Sequence, residues 1–260
     1  MDNVNRTLYI PLYGKSFVSR KGIILHDRKA EEIWAAEEFP LKGKSASKWL
    51  AYYMGMRSAV FDRWLTEKME ENPSAVVLHI GCGMDSRICR VGNREHLWFD
   101  VDFPQVIEQR RKYYEETSNY KMLCGDLREK DWLQKITGEE AIVVLEGVSM
   151  YLRPEELRCA FNNIYERFEN VQLLMDCYTE FAAKASRYKN PINDVGVTTV
   201  YGMDDPDVLP GFLREHEMTP ADLIGQLQGM EKCVFRTIYA GSAAKKMYRL
   251  YEYRKCNRYA

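Results

Sequence analysis

The chain has 260 residues, 46% of them apolar, which is enough for one large domain with a substantial core. Its 37 Lys and Arg nearly balance its 38 Asp and Glu, so the net charge of −1 predicts no general attraction to nucleic acid or to an anionic membrane. The cysteines include no Cys-x-x-Cys pair, and no apolar run approaches the roughly 20 residues that cross a bilayer, so we expect a cytoplasmic protein without disulfides, zinc or a membrane span.

The first 73 residues are predicted to be helical, with one long amphipathic helix over residues 45–71 that Asn72 and Pro73 terminate. The apolar face of this helix carries Leu50, Met54, Phe61 and Trp64. Arg57 occupies the remaining position on that face, where a charge needs an anionic partner or a route to water. Two interpretations stay open: an internal salt bridge, and an arginine that binds the carboxylate of a ligand.

From residue 75 onward, short apolar runs alternate with helical segments, a pattern typical of a parallel sheet with right-handed crossovers. The runs are uninterrupted rather than alternating, as expected for strands buried on both faces. Five such strands are predicted, at residues 75–81, 96–102, 121–126, 141–147 and 171–178. Pro104 and Pro154 each begin a helix between two of them.

The C-terminal tail has a different pattern. Residues 233–240 and 246–255 are two β-like runs whose connection is too short for a crossover helix, so they are predicted to form an antiparallel hairpin. We therefore expect an α/β fold with a mostly parallel, seven-stranded sheet in a single domain, 1–260. Its expected parts are a helical cap (1–73), the sheet core (74–178), a substrate lid (179–231) and the hairpin (232–260).

Acidic residues end four successive predicted strands. The first strand leads into Gly81, Gly83 and Asp85, and the next three end at Asp102, Asp126 and Glu146. Ligands of open parallel sheets bind at the carboxyl ends of the strands. We therefore expect a ligand site that combines a glycine turn with several carboxylates.

The acids indicate which cofactor the glycine turn serves. Asp102 lies 21 residues after Gly81, which suits a carboxylate that accepts hydrogen bonds from ribose hydroxyls. S-adenosylmethionine also carries an adenine amino group and an ammonium group. Both can donate hydrogen bonds, which the carboxylates of Asp126 and Glu146 can accept. A dinucleotide brings a pyrophosphate instead, for which Asp85 in the loop is unfavourable. S-adenosylmethionine is therefore favoured, with a nicotinamide-dependent oxidoreductase and a non-catalytic cofactor-binding module as alternatives.

The same residues resemble those of the leucine carboxyl methyltransferase family, and most closely its bacterial branch of tetracenomycin polyketide O-methyltransferases. The resemblance covers most of the chain. It is carried by residues 9–16, Arg57, and the segments at 81–87 (Gly-Cys-Gly-Met-Asp-Ser-Arg), 101–104 (Val-Asp-Phe-Pro), 125–128, 146–152 and 201–206.

The resemblance implies a class I, Rossmann-like fold that uses S-adenosylmethionine as its cofactor. It also implies roles for individual residues. These are Lys15 and Arg57 at the methionine carboxylate, Gly81, Cys82 and Gly83 along the cofactor, Asp102 at the ribose, Asp126 and Leu127 at the adenine, and Glu146 near the amino group.

The resemblance also implies that the acceptor is a carboxylate, of a protein or of a small molecule, with Tyr151 facing the zone of methyl transfer. We expect a small carboxylic acid, with a phenol or another hydroxyl compound as the alternative. A carboxylate is ionised at neutral pH and needs only alignment, whereas a phenol usually needs a base. The sequence shows no nucleophile–base motif, and His79 is predicted to be a packed core residue.

Overall fold

The computed structural model describes residues 7–189, 199–238 and 246–256. In these parts of the chain, three helices precede the sheet, in the region predicted to be helical: α1 (Tyr9–Arg20), α2 (Arg28–Glu37) and α3 (Lys48–Glu71). The side chain of Ser47 caps α3 by accepting from the backbone N–H of Trp49 at 3.3 Å. The long helix therefore begins three positions later than the predicted start at residue 45.

A seven-stranded sheet follows, in the spatial order β3-β2-β1-β4-β5-β7-β6. The strands are β1 (Val76–Ile80), β2 (Trp98–Asp102), β3 (Tyr120–Cys124), β4 (Glu140–Leu145), β5 (Asn170–Tyr178), β6 (Phe212–Met218) and β7 (Tyr248–Lys255). The first five are parallel, while β7 runs antiparallel to both of its neighbours, β5 and β6. This confirms the predicted fold class, a mostly parallel seven-stranded sheet with an antiparallel hairpin formed by its last two strands.

Helices connect the strands and cover both faces of the sheet. The α-helices are α4 (Arg87–Val91), α5 (Pro104–Arg110), α6 (Pro154–Arg167), α7 (Glu180–Lys189) and α8 (Gly229–Ile238). Short 3₁₀ segments lie at Asp131–Lys135, Ser149–Tyr151, Pro206–Val208 and Ala221–Gln226. In the described parts of the chain, no helix has both the length and the apolar composition needed to cross a membrane.

The strand that pairs with β7 is not the predicted one. Residues 233–238 belong to α8, and the partner of β7 is β6, within the segment predicted to be a lid. Apolar Val234 and Phe235 resemble a strand locally, but Phe235 is fully buried against Trp49 and Tyr52 on one side of a helix. Because β6 is an edge strand rich in charged residues, its sequence carries little of the apolar signal of a buried strand. The remainder of the predicted run, 239–240, lies outside the described residues.

The sheet separates two apolar cores, and α3 packs on one of them. Along β1, Val76 and Leu78 face the core beneath α6, whereas Val77 faces the core that contains Phe61 and Trp64 of α3. This alternation is the ordinary consequence of side chains pointing to opposite faces of a strand. Packing of Phe61 and Trp64 against the sheet fixes α3 across it, and so determines where the earlier turns of the helix lie.

Helices α1 and α3 cross closely at Gly14. A Cβ atom at this position would lie 2.6 Å from the Cβ of Met54 and 3.2 Å from the carbonyl oxygen of Ala51. Both atoms are fixed by the backbone of α3, so the crossing cannot relax by a rotamer change. The cap is therefore held against α3 by an interhelical contact that only glycine allows.

Gly14→Ala is expected to destabilise the protein. Overpacking costs about 1–3 kcal/mol, and here it outweighs the roughly 1 kcal/mol that alanine gains over glycine in a helix. The melting temperature should fall by about 2–4 °C for each kcal/mol lost. Gly225→Ala is the matched control, because a Cβ atom there meets nothing within 4 Å. Equal melting temperatures for the two variants would contradict the close crossing.

Candidate active site

One cavity of about 950 Å³ opens at the carboxyl ends of the parallel strands, beneath α1 and α3. Every residue that the sequence predicts for the site lines it: Lys15, Arg57, Gly81, Cys82, Gly83, Asp102, Asp126, Leu127, Glu146 and Tyr151. The cap, the glycine turn and the strand-end acids therefore meet in one place. In the described parts of the chain, no group of three or more His, Cys, Asp or Glu side chains is arranged to hold a metal ion.

The glycine turn after β1 is fixed by backbone geometry and by Asp102. Gly81 has a φ of 67°, and a Cβ atom on it would lie 2.3 Å from a methyl group of Val148. The carboxylate of Asp102 accepts from the N–H of Gly83 at 2.7 Å and from that of Phe103 at 2.8 Å. Burial nevertheless raises the pKa of Asp102 to about 6. This acid therefore changes charge near physiological pH.

The third strand end contributes Asp126 and Leu127. The carboxylate of Asp126 accepts from the backbone N–H of Arg128 at 2.9 Å and pairs with its guanidinium, which lowers the pKa of Asp126 against the effect of partial burial. Leu127 is buried and belongs to the core beneath α6. An ionised acid and an apolar side chain thus stand side by side on the cavity wall.

Arg57 crosses from α3 to the ends of β4 and β5, where it contacts two carboxylates. Its Nε and Nη2 lie 3.0 Å from Oε1 of Glu146, and its Nη1 lies 3.0 Å from Oδ2 of Asp176 and 2.7 Å from the hydroxyl of Tyr248. Arg57 is 4% exposed, and these partners allow its charge to be buried. The structure therefore contains the internal salt bridge that the sequence suggested, and it places that pair on the cavity wall.

Glu146 is held from two sides. Besides Arg57, it contacts the hydroxyl of Ser58 at 3.1 Å and the guanidinium of Arg87, which is fully buried. Burial opposes ionisation, but Arg57, with Lys15 and Arg87, lowers the pKa of Glu146 to about 2. This carboxylate is therefore an anion at any physiological pH.

Two contributors to the cavity region were not among the predicted site residues, Asp176 on β5 and Tyr248 on β7. The sequence does carry a signal for Asp176, an acid between Met175 and Cys177 in an otherwise apolar strand. Tyr248 gives no such signal, since tyrosine is common in strands. Its role depends on the pairing of β7 with β5, which places it opposite Tyr178.

A second group of buried charges holds Asp85, the residue that follows the glycine turn. Lys15 lies 3.0 Å from Asp85, and Arg90 joins Asp85 to Asp27 and Asp62. Asp85 therefore fixes α1 and α4 against the turn. An anionic side chain in this loop disfavours the pyrophosphate of a dinucleotide.

Below the turn, Asp100 pairs with Arg110, and both side chains are fully buried. Although burial opposes it, Arg110 lowers the pKa of Asp100 to about 2, with help from His79 and Tyr120. His79 is buried as predicted, with its Nδ1 3.1 Å from Asp100 and its Nε2 3.0 Å from Arg87. Burial lowers the pKa of His79, so its ring is neutral at physiological pH.

One side of the cavity wall carries several tyrosines. Tyr151, in the 3₁₀ turn after β4, contacts a small apolar cluster that contains Met150, and Tyr178 and Tyr248 pack on the same cluster. Burial raises the pKa of Tyr151, so its phenol stays protonated. This side of the cavity suits a flat or apolar molecule rather than a highly charged one.

Asp100→Asn is expected to cost about 3–5 kcal/mol, because it leaves Arg110 buried without its counter-charge. Since the pKa of Asp100 is lowered in the folded protein, its contribution to stability is present above pH 3.8 and is lost as the pH falls toward 2. Asp126→Asn is the matched control, because its partner Arg128 is about half exposed. The free energy of unfolding from urea titration measures both; equal losses would contradict this assignment.

Comparison with known proteins gives the site its context. The model of the family described as leucine carboxyl methyltransferase matches residues 4–165. The Streptomyces glaucescens tetracenomycin polyketide synthesis O-methyltransferase TcmP is 27% identical over 244 residues, which are 90% of this chain and 90% of that protein. An S-adenosyl-L-methionine-dependent methyltransferase of Gibberella zeae is 27% identical over 195 residues, 67% of this chain and 65% of that protein.

Among solved structures, the Synechocystis magnesium protoporphyrin IX methyltransferase with bound SAH superposes with a TM-score of 0.52 and 11% identity, covering 87% of this chain and 93% of that one. This likeness shows a shared fold. The family match extends from the cap through the glycine turn, three strand-end acids and Tyr151, and it includes more than half of the chain. The chain is thus a member of the leucine carboxyl methyltransferase family.

Proposed function

We propose that this methyltransferase transfers the methyl group of S-adenosylmethionine to the carboxylate of a small, largely aromatic acid. Family membership and the relatives that are named as methyltransferases support the use of this cofactor. The acceptor class rests on one observation, the absence of a free general base among the described residues of the inner cavity wall.

The chemistry of the cavity suits the cofactor. Each oxygen of Asp102 accepts one backbone N–H and keeps a second lone pair for a ribose hydroxyl. Asp126 would accept from the adenine amino group beside the apolar side chain of Leu127. Arg57 would bind the carboxylate of the methionine portion, with Lys15 nearby, and the anionic Glu146 would favour its ammonium group. A volume of about 950 Å³ leaves room for a second small molecule.

When bound, S-adenosylmethionine supplies a methyl group on a positively charged sulfur. The protein's contribution is to orient the acceptor and to exclude water. Tyr151, Tyr178 and Tyr248 form a rigid aromatic wall on the acceptor side, and rigid positioning is worth several orders of magnitude in rate. Ala182 and Ser186 of α7 also line the cavity, which supports a covering role for this helix.

The side chains of the inner cavity wall that could take a proton from a phenol are engaged in other hydrogen bonds or ion pairs. His79 is the sole histidine on the described cavity wall, and both of its ring nitrogens are occupied by Asp100 and Arg87. Asp85, Asp126 and Glu146 are ion-paired, and Asp102 holds the glycine turn and would accept from the ribose hydroxyls of the bound cofactor. A carboxylate acceptor is already ionised at neutral pH and needs none of them.

Glu217 of β6 favours a phenol as the second candidate acceptor. Its side chain is exposed and lines the cavity mouth, where it stands near Arg249. A phenol bound with its hydroxyl toward this carboxylate would have a base. The two candidate acceptors therefore predict different effects of Glu217→Gln.

Matched acceptors separate the two functions. We expect the enzyme with labelled S-adenosylmethionine to methylate 2-naphthoic acid or a related ring acid, while the corresponding naphthol gives no product. Glu217→Gln should leave the ester-forming activity within about twofold, in the range of a surface substitution. Transfer to naphthols alone, with loss of that transfer in Glu217→Gln, would contradict the carboxylate assignment.

Cofactor binding should depend on pH through Asp102. The hydroxyl donors of the ribose bind the carboxylate, and protonation of Asp102, whose pKa is about 6, removes this acceptor. Affinity is therefore complete above pH 7 and falls as the pH drops through 6. The dissociation constant of S-adenosylhomocysteine from calorimetry should rise by about tenfold between pH 7 and pH 5.

Asp102→Asn is the control for this pH profile. It should weaken binding at pH 7 by roughly 10- to 100-fold, the usual value of hydrogen bonds to a charged group, and it should flatten the profile between pH 5 and 7. A variant that binds as tightly as the wild-type protein at pH 7 would show that Asp102 does not hold the ribose.

A further inference from the structure

Tyr248, the first residue of β7, joins the arginine of the cap to the acid of the sheet. Nη1 of Arg57 donates to its hydroxyl oxygen at 2.7 Å, and the hydroxyl donates in turn to Oδ2 of Asp176. Arg57 and Asp176 are also in direct contact at 3.0 Å. The three side chains thus form a closed triangle between α3, β5 and β7.

The N–H groups of Arg57 that already donate hydrogen bonds determine which of its donors could bind a ligand. Arginine has five N–H groups. Nε donates to Glu146 and Nη1 donates to Tyr248. The contacts of Nη2 with Glu146 and of Nη1 with Asp176 are ion pairs at 3.0 Å, and among the described residues Nη2 donates no hydrogen bond. Nη2 therefore keeps donor capacity for a ligand. Nη2 lies beside Gly147, where a Cβ atom would approach it to 3.4 Å.

The ring of Tyr248 is itself held in place. It packs edge-on against Tyr53 with ring centroids 5.6 Å apart, and against Tyr178 with centroids 5.1 Å apart. All three rings line the cavity. The hydroxyl therefore has a fixed position from which to orient Arg57, and the ring that carries it belongs to the acceptor side of the cavity.

We propose that Tyr248 is a positioning residue whose hydroxyl fixes the guanidinium of Arg57 so that Nη2 meets the carboxylate of the cofactor. This inference rests on the proposed function, since it assigns Arg57 to that carboxylate. Without the hydroxyl, Nη1 loses its hydrogen-bond acceptor, and only Glu146 and Asp176 then orient the guanidinium. The adenine and ribose contacts at Asp126 and Asp102 do not involve Tyr248.

The same hydroxyl supports the charge of Asp176. The groups that face this carboxylate are Arg57 from α3, Tyr248 from β7, and Glu146 with the backbone N–H of Gly147 at the end of β4. Burial raises the pKa of Asp176, while Arg57 and the hydrogen bond from Tyr248 lower it. Removing that hydrogen bond should raise the pKa further, so Arg57 would lose a charged partner at higher pH than in the wild-type protein.

Tyr248→Phe removes the hydroxyl and keeps the ring, so it tests the role of the hydroxyl alone. Two ligands make the test specific: S-adenosylhomocysteine, and 5′-methylthioadenosine, which has the same adenosine portion without the amino-acid carboxylate. Calorimetry should show affinity for S-adenosylhomocysteine reduced by roughly tenfold and affinity for methylthioadenosine unchanged. Relative to the wild-type protein at the same pH, the loss for S-adenosylhomocysteine should grow as the pH falls.

Tyr251→Phe is the matched control, since Tyr251 is a buried tyrosine of the same strand, faces the core beneath α6, and accepts from Arg249 at 2.8 Å. It should bind both ligands as the wild-type protein does. The proposal is overturned if Tyr248→Phe binds S-adenosylhomocysteine normally, or if it weakens both ligands equally, as a general structural defect would. Failure of the wild-type protein to bind either ligand would instead refute the proposed function.

Discussion

The contact of Arg57 with Glu146 and Asp176 is the interaction on which the rest of the site depends. It joins the long helix of the cap to the ends of two central strands, and every partner in it is almost completely buried. Taking such charges out of water costs several kcal/mol for each ion, and an apolar pair would often be at least as stable. Stability alone therefore gives little reason for the arrangement, whereas a ligand that carries both a carboxylate and an ammonium group does.

Other buried ion pairs lie around the cavity. Arg87 reaches Glu146 from the helix after the glycine turn, and Lys15 reaches Asp85 from the first helix of the cap. The cap is thus fastened to the sheet by ion pairs at the cavity and by apolar packing farther along α3. Because these ion pairs converge on the strand ends, the cap and the sheet together define one cavity, with carboxylates toward the glycine turn and tyrosines on the opposite wall.

Much of this arrangement could be predicted from the sequence, because strands buried on both faces are continuously apolar and a polar residue marks where each one ends. Asp102, Asp126 and Glu146 were found in this way, and Arg57 was found as a charge on an apolar helical face. The pairing of β6 with β7 could not be found, since an edge strand with charged side chains lacks that signal and α8 imitates a strand over a few residues. Tyr248 could not be predicted as a site residue for a related reason. Its contacts with Arg57 and Asp176 arise only from the antiparallel pairing of β7 with β5.

The acceptor is the part of the function that sequence patterns specify least, because an aromatic wall admits many flat molecules. The cofactor site is more sharply defined, and it depends on what Arg57 contacts when the cofactor is bound. A crystal structure with S-adenosylhomocysteine tests this most directly. We expect Nη2 of Arg57 to contact the ligand carboxylate and Asp102 to accept from the ribose hydroxyls. A ligand bound elsewhere, or bound here with Arg57 contacting Glu146 and Asp176 alone, would contradict this account.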